Sequence, residues 1–463
     1  MTRTLATLLG LAAAAGVGRA DDPRPIPLTR PEMKQLLEDM KGRTPRIPLP
    51  PLTDAEKARL GEREAGYESR LRALYLGGGD GRGGFGGGGG AGFGKDSPEA
   101  TLDYKFKTQL FWIVSRANNC QYCLGHQESK LLSAGMTEDE IAALDGDWAD
   151  LPPHRRAAYV FARQYTYEPH TLSDASIDAV RKHYTDAQIL EMILSMAGNN
   201  QINRWKEGVG VPQSKNGGGF GRRGEKGERP AAPPKDEHQT YLTPTSDAYK
   251  AKVTKVAPVT ADPKSGEPTR LTVCVRPPLE SRAEVEKALA AARSRKPRLP
   301  VADEAKAKAA LGDDAPAGPL PQWVRLLATG GAAGKGRLST TRAAEEKGDL
   351  SPLLKAQVSW IIARQDRAWY ATGLAKKRLT ELGQTDDQIY ALDGDWAGFG
   401  ERERALFTVA KKLAASPVVL TDDEVAAALK LAGPRDVVQL ISYTTVWAAF
   451  DRVTESAGLT VEP

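Results

Sequence analysis

The 463-residue chain carries 64 Lys and Arg against 59 Asp and Glu, a formal net charge of +5. So small an imbalance argues neither for nor against a polyanionic partner. The length is too great for one average domain and sufficient for two or three with sizeable cores. The composition is that of a soluble protein, interrupted by Gly-rich and Pro-rich tracts that account for many of its 46 glycines and 31 prolines.

The first residues read as a secretory signal, residues 1–20. Arg3 precedes an apolar run from Leu5 to Val17, and Gly18-Arg19-Ala20 forms a small-x-small site ahead of Asp21-Asp22. The run is short for a permanent bilayer span. The expectation is cleavage near Ala20 and a periplasmic or secreted mature chain; the alternative is an uncleaved anchor. Outside the cytoplasm a neighbouring cysteine pair tends to be oxidised unless something reduces it.

Residues 21–44 are polar and proline-bearing and read as a tether. A helical extension follows over 45–76: Arg46-Ile47-Pro48 leads into a pattern from Asp54 to about Leu74, with Leu60, Leu71 and Leu74 on one face. Residues 77–96 are a glycine-rich linker. It lacks the GxxxxGK[ST] ending of a phosphate-cradling loop, so a spacer is the better reading.

From Leu102 the pattern is strongly helical, with Phe106, Leu110, Ile113, Val114 and Ala117 at three- and four-residue spacing. That helix runs into NNCQYCLGHQ, residues 118–127, the stretch around which the domain at 97–212 is organised. Cys120 and Cys123 stand one helical turn apart and His126 one turn further on. Asn118 and Asn119 are suitable N-cap residues, and a helix N-terminus favours thiolate over thiol. Gly135 is the expected end of this helix. Thr137 to Glu140 reads as a capping box for a short helix carrying Ile141 and Leu144, and further helices are expected at about 153–167, 173–183 and 186–198.

Several chemistries suit a Cys-x-x-Cys pair. A redox pair fits its placement and the adjacent His. An inert disulfide would close too short a loop to stabilise much. Haem attachment needs His directly after Cys123, where Leu124 stands. Zinc needs three or four ligands, and nothing in the spacing of His154, His170 and His183 selects one of them. No metal site is expected. Asp145-Gly146-Asp147 has too few carboxylates for a calcium cage and reads as a capping turn. Trp112, Trp148 and Tyr122 read as core and interface residues.

A second linker, 213–235, mixes Gly, Pro and nearly balanced charge. A solvated spacer is preferred there to a nucleic-acid-binding arm, and no nucleic-acid partner is expected. In the connecting segment 236–296, residues 236–278 hold the only credible strands, notably Leu271 to Val275. Cys274 within it reads as a buried thiol, with a role in resolving an oxidised Cys120 or Cys123 as the alternative.

At a fixed offset of 248 residues the second half repeats the first. Lys107, Gln109, Trp112, Ile113 and Arg116 return as Lys355, Gln357, Trp360, Ile361 and Arg364; Ala143–Trp148 returns unchanged as Ala391–Trp396; Arg204 returns as Arg452. Arg46-Ile47-Pro48 is echoed by Arg298-Leu299-Pro300, and the glycine tract by Gly330–Gly336. Residues 297–463 therefore read as a second copy of the module, packed on the first as a pseudo-dimer. Its substitutions are selective. Cys120, Cys123 and His126 become Ala368, Ala371 and Leu374, while the Trp, Arg and ALDGDW positions stay.

Helices flanking a CxxC with a trailing His, followed by short helices and a last helix bearing Asn and Arg, resemble the carboxymuconolactone decarboxylase superfamily, in its alkylhydroperoxidase-D-like branch. The resemblance covers about 105–205, and 353–455 as a degenerate copy. It implies an all-α fold, two tandem modules joined by flexible Gly/Pro-rich linkers, and homo-oligomers. It also implies reduction of hydroperoxides by the cysteine pair with an external dithiol as reductant and no other cofactor. On this resemblance Cys123 is the attacking thiolate, Cys120 its disulfide partner and His126 the proton relay. Asn203 and Arg204 line or support the site, with Gln109, Tyr122 and Glu128 as further supporting candidates. The chain departs from the branch in two places. His126 follows Cys123 by three residues instead of four, and the family's upstream Glu falls at Thr108 and Gln109. An amide is no base, so proton transfer falls to His126, to Glu128 or to another group. The other functions weighed are a non-catalytic assembly protein with an oxidised CxxC and a ring-opening lyase.

Overall fold

A computed structural model describes residues 24–60, 66–77, 100–213, 240–243, 246–256 and 278–462. Every regular element among the described residues is a helix. The signal segment, the glycine tract beyond Gly77, the spacer from Lys215 to Pro234, and Leu271–Val275 with Cys274 lie outside them.

The segment expected as a tether is instead folded. Helix α1, Arg30–Asp39, begins with the Glu32 carboxylate accepting from the backbone of Leu28 and Thr29 at 2.9 and 3.2 Å. Its Met33 and Leu37 are fully buried, and Met40 follows them into the core. Prolines and charges suggested a solvated chain, but an apolar i, i+4 stripe and buried ion pairs hold it down. The extension supplies α2, Asp54–Leu60, and α3, Tyr67–Tyr75.

Helix α4, Tyr104–Ala117, is capped by Asp103, whose side chain accepts from the Phe106 N–H at 2.7 Å. Helix α5, Gln121–Ser133, follows after a three-residue reversal, Asn118 to Cys120. The asparagines do not cap α5. Asn118 ends α4, Asn119 takes a left-handed conformation at φ 57, and Cys120 is the N-cap. Asn tolerates that backbone region better than most residues. The two amides bond elsewhere: Asn118 Nδ2 to Asn200 and Asn203, each at 3.0 Å, and Asn119 Nδ2 to the carbonyl of Arg24 at 3.2 Å.

Helix α6, Glu138–Ala142, starts with the expected capping box; α7 is Pro153–Tyr167, α8 is Asp174–Arg181 and α9 is Asp186–Val209. Sequence periodicity suggested an end for α9 near residue 198. The helix continues because Asn200, Asn203, Arg204, Lys206 and Glu207 are buried with bonded side chains, and it stops at Gly210 with φ 70. A short α10, Asp247–Lys250, stands in the connecting segment.

In the second half the helices are α11, Arg282–Ser294; α12, Glu304–Leu311; α13, Gln322–Leu327; α14, Gly331–Glu346; α15, Pro352–Asp366; α16, Trp369–Glu381; α17, Asp386–Tyr390; α18, Glu401–Ala414; and α19, Asp422–Ser456, which breaks at Gly433-Pro434. The glycine stretch at 330–336 is mostly helical, unlike the linker it was expected to echo. Helices α15 to α18 each start 248 residues after α4 to α7.

The core is continuous across both halves, and α9 against α19 forms its centre. Arginines span the contact. Arg204 reaches the carbonyl of Ala414 at 3.0 Å and Ser416 Oγ at 2.6 Å, while Arg452 reaches the carbonyl of Thr166 at 3.3 Å. Arg46 bonds the Glu207 carbonyl at 2.7 Å and pairs with Asp422; Arg298 bonds the Glu455 carbonyl at 2.5 Å and pairs with Asp174. At Gly208 an added Cβ would lie 2.6 Å from Cγ2 of Ile441. Gly208→Ala is therefore expected to overpack this contact and cost about 1–3 kcal/mol, read as a lower midpoint in denaturant unfolding with an unchanged slope.

Candidate functional site: a buried thiol pair

Cys120 N-caps α5 and Cys123 lies in its first turn, so both sulfurs sit at the positive end of the helix. They are 0% and 2% exposed and are enclosed by Phe111 of α4, Ile202 of α9 and Tyr122. Both are thiols. Burial pushes the Cys120 thiol well above its ordinary range, and its hydrogen bond to Cys123 and the nearby Glu207 carboxylate push it further.

His126 stands one turn beyond Cys123 and lies flat on Tyr122, with ring centroids 4.4 Å apart. Its Nδ1 is 2.9 Å from the Tyr122 carbonyl, which can only accept; Nδ1 therefore carries the hydrogen in the neutral ring and Nε2 the lone pair. Burial, with the charges of Lys206 and Lys130, lowers the imidazole to about 4, although the bond to Tyr122 opposes this. At neutral pH His126 is uncharged and can take up a proton, but it supplies no positive charge to a thiolate.

The structure brings Cys120, Cys123, Tyr122 and His126 together and leaves the other candidates in supporting positions. Glu128 is committed elsewhere. Its carboxylate accepts from Arg30 at 2.7 and 3.2 Å and from Trp112 Nε1 at 2.6 Å, with Lys34 at 3.6 Å. Burial opposes its ionisation, but these cations hold it below the usual carboxylate range. Gln109 accepts from the Tyr159 hydroxyl at 2.7 Å and donates to Met136 Sδ. Asn203 donates to Ser115 Oγ at 3.1 Å, and Arg204 bonds Asn200 Oδ1 at 2.7 Å beside its contacts to the other half. Asp145 is held by the Arg116 guanidinium at 2.9–3.1 Å and accepts from Thr254 Oγ1, so the ALDGDW loop is a fastening turn. Among the described residues no group of three His, Cys, Asp or Glu side chains is placed to hold a metal ion.

Sequence reasoning missed four participants. Lys206 of α9 lies over the Tyr122 ring at 4.2 Å and is ion-paired with Glu68 of α3. Gln213 donates to the carbonyls of Gln121 and Tyr122 at 3.2 and 3.3 Å, and Tyr241 packs beside it on α5. An added Cβ on Gly125 would lie 2.2 Å from Gln213 Nε2. One signal was available for Lys206: at the same offset of 248 its place is taken by Thr454, so it disappears along with the cysteines and the histidine.

No protein-family model matches the chain, and no curated protein matches it.

The lowered pKa of His126 has a thermodynamic consequence. Between pH 6.5 and about 4 the unfolded chain binds a proton at this residue and the folded chain does not, so its contribution is full above pH 6.5 and is lost as pH falls. By about pH 4.5 the loss is on the order of 2–3 kcal/mol. His126→Gln should flatten the stability profile by that amount, measured as the difference between variant and native urea unfolding at neutral and acid pH.

Proposed function

We propose that the chain is an exported thiol-dependent peroxidase of the alkylhydroperoxidase-D-like kind, built from two copies of one helical plan with a live thiol site in the first copy alone. The observation that carries the reading is the thiol pair itself. Two sulfurs share the first turn of a helix, one held protonated and bonded to the other, with a neutral imidazole one turn away.

That asymmetry supports the assignment of roles. The Cys123 thiolate attacks one peroxide oxygen, the O–O bond breaks, and the leaving alkoxide takes a proton to become an alcohol. Cys123 is then a sulfenic acid. Cys120 attacks its sulfur, the hydroxyl leaves as water with the Cys120 proton, and a disulfide forms. An external dithiol restores the pair by exchange. His126 Nε2 is suited to accept and return protons during these steps.

The two-copy reading is supported by matching helix starts and by reciprocal contacts. Arg204 reaches Ala414 as Arg452 reaches Thr166, which stand 248 residues apart, and Arg46 with Asp422 mirrors Arg298 with Asp174. Residue i of one half meeting residue j of the other, and the reverse, is the signature of an isologous interface. Trp148 and Trp396 even share a left-handed backbone, φ 62 and 63. Larger homo-oligomers of this pseudo-dimeric unit belong to the same proposal.

The burial of both sulfurs favours a second reading, an assembly protein whose pair is a closed disulfide, since reactive cysteines are usually partly exposed. Peroxide consumption with a dithiol donor separates the two. Turnover is expected for the native chain and is expected to vanish in Cys123→Ser, while Cys120→Ser should be oxidised once, to a trappable sulfenic acid, without turning over. A native chain no faster than the free dithiol removes the peroxidase reading.

A further inference from the structure

With His126 neutral and the Glu128 carboxylate closed off by Arg30 and Lys34, something else must balance a negative charge on Cys123. The facing helix offers one group. On α9, Ile202 packs against the cluster of Phe111, Cys120 and Cys123, and Lys206 lies one turn later on the same face. Its ammonium sits over the ring of Tyr122, the residue before Cys123, at 4.2 Å. Lys206 is 8% exposed and is held by Glu68, whose other oxygen accepts from Trp205 Nε1 at 2.7 Å. We infer that Lys206, oriented by Glu68, is the positioning cation that holds Cys123 as a thiolate.

This inference rests on the thiol reading above and deepens it. The other ionisable groups around Cys123 do not supply the same charge. From its own helix come Tyr122, His126 and Lys130; from α9 come Lys206 and Glu207; from α3 comes Glu68. Glu207 is spent on Arg24 at 2.6 Å and Arg43 at 3.4 Å, and it lies against Cys120, where a carboxylate opposes ionisation. Lys130 is a second cation near Cys123, but burial lowers its own pKa. Despite burial, Lys206 is raised by Glu68, then Tyr122, and in part by Cys123. It remains charged throughout the range in which a thiol ionises. The degenerate half follows the same logic: Lys206 is replaced by Thr454 where Cys123 is replaced by Ala371, while Glu207 remains as Glu455 and pairs with Arg295.

The chemical event is Cys123–SH giving Cys123–S⁻ and a proton, with no net redox change, so it can be read without peroxide. In the full reduced chain carrying Cys120→Ser and Cys274→Ser, only Cys123 contributes to ultraviolet thiolate absorbance as pH is raised. Lys206→Gln keeps a donor for Glu68 and removes the charge; it should move the midpoint up by about one pH unit, a tenfold loss of thiolate below the midpoint. Lys206→Arg should restore the native midpoint, which a merely structural loss would not do. An unmoved midpoint in Lys206→Gln, or an equal shift in Lys206→Arg, overturns the inference. If Lys206→Gln does not fold, Glu68→Gln serves: with its counter-charge gone Lys206 acts unopposed and the midpoint should fall, and a fixed or raised midpoint overturns the inference. Failure of the peroxidase reading would appear differently, as absent turnover with the titration still responding to Lys206.

Discussion

Four arginines, Arg116, Arg204, Arg364 and Arg452, are entirely removed from water, and the architecture is arranged around meeting their demands. A buried guanidinium without partners costs several kcal/mol, so each must find carbonyls or carboxylates in fixed directions. Arg116 and Arg364 take Asp145 and Asp393, which pins the ALDGDW turns onto α4 and α15. Arg204 and Arg452 look outward from the central helices and take backbone carbonyls of the opposite half. Hydrophobic burial along α9 and α19 supplies most of the stabilisation, but it is indifferent to small sliding. The arginine fork is not. It sets the register of one half on the other, and α5 is positioned through α9.

Helix α5 consequently has two electrostatic faces. On one, Glu128 is sealed beneath Arg30 and Lys34 from α1, itself anchored by Met33 and Leu37. On the other, two thiols lie beneath apolar side chains and are bordered by Lys206. The segment before residue 47 thus does more than lengthen the chain: it neutralises the one carboxylate on α5 that could have repelled a thiolate. Because both faces are dry, each charge counts for more than it would in water.

Much of this was legible in the sequence. The period of three and four from Phe106 to Ala117 marks a real core helix, the Thr137 capping box is present, and the offset of 248 anticipates matching helix starts. Two kinds of feature were not legible. Local rules assigned Asn118 and Asn119 to cap α5, but long-range partners at Asn200, Asn203 and Arg24 claimed their amides. Charge and proline between 24 and 44 read as solvated chain, because no local pattern reveals that Arg30 will meet a glutamate 98 positions later. The same limit hid Glu68 and Gln213. They join the site from segments whose own periodicity says nothing about cysteines.

The two halves differ at matched buried positions beyond Cys120, Cys123 and His126. At the offset of 248, Asn118 corresponds to Asp366 and Asn203 to Asp451. In the first half the amide of Asn118 donates to the oxygen of Asn203 at 3.0 Å. Two carboxylates in those places would have no hydrogen to share. Burial, and after it the charge of Asp366, holds the Asp451 carboxyl well above the usual range, while Asp366 stays paired with Arg452 at 2.6 Å. The arginine, which in the first half rests on a neutral Asn200, gains a carboxylate in the second. At matched positions the buried polar layers of the two halves therefore use different chemistry, amide to amide in one and carboxylate to guanidinium in the other.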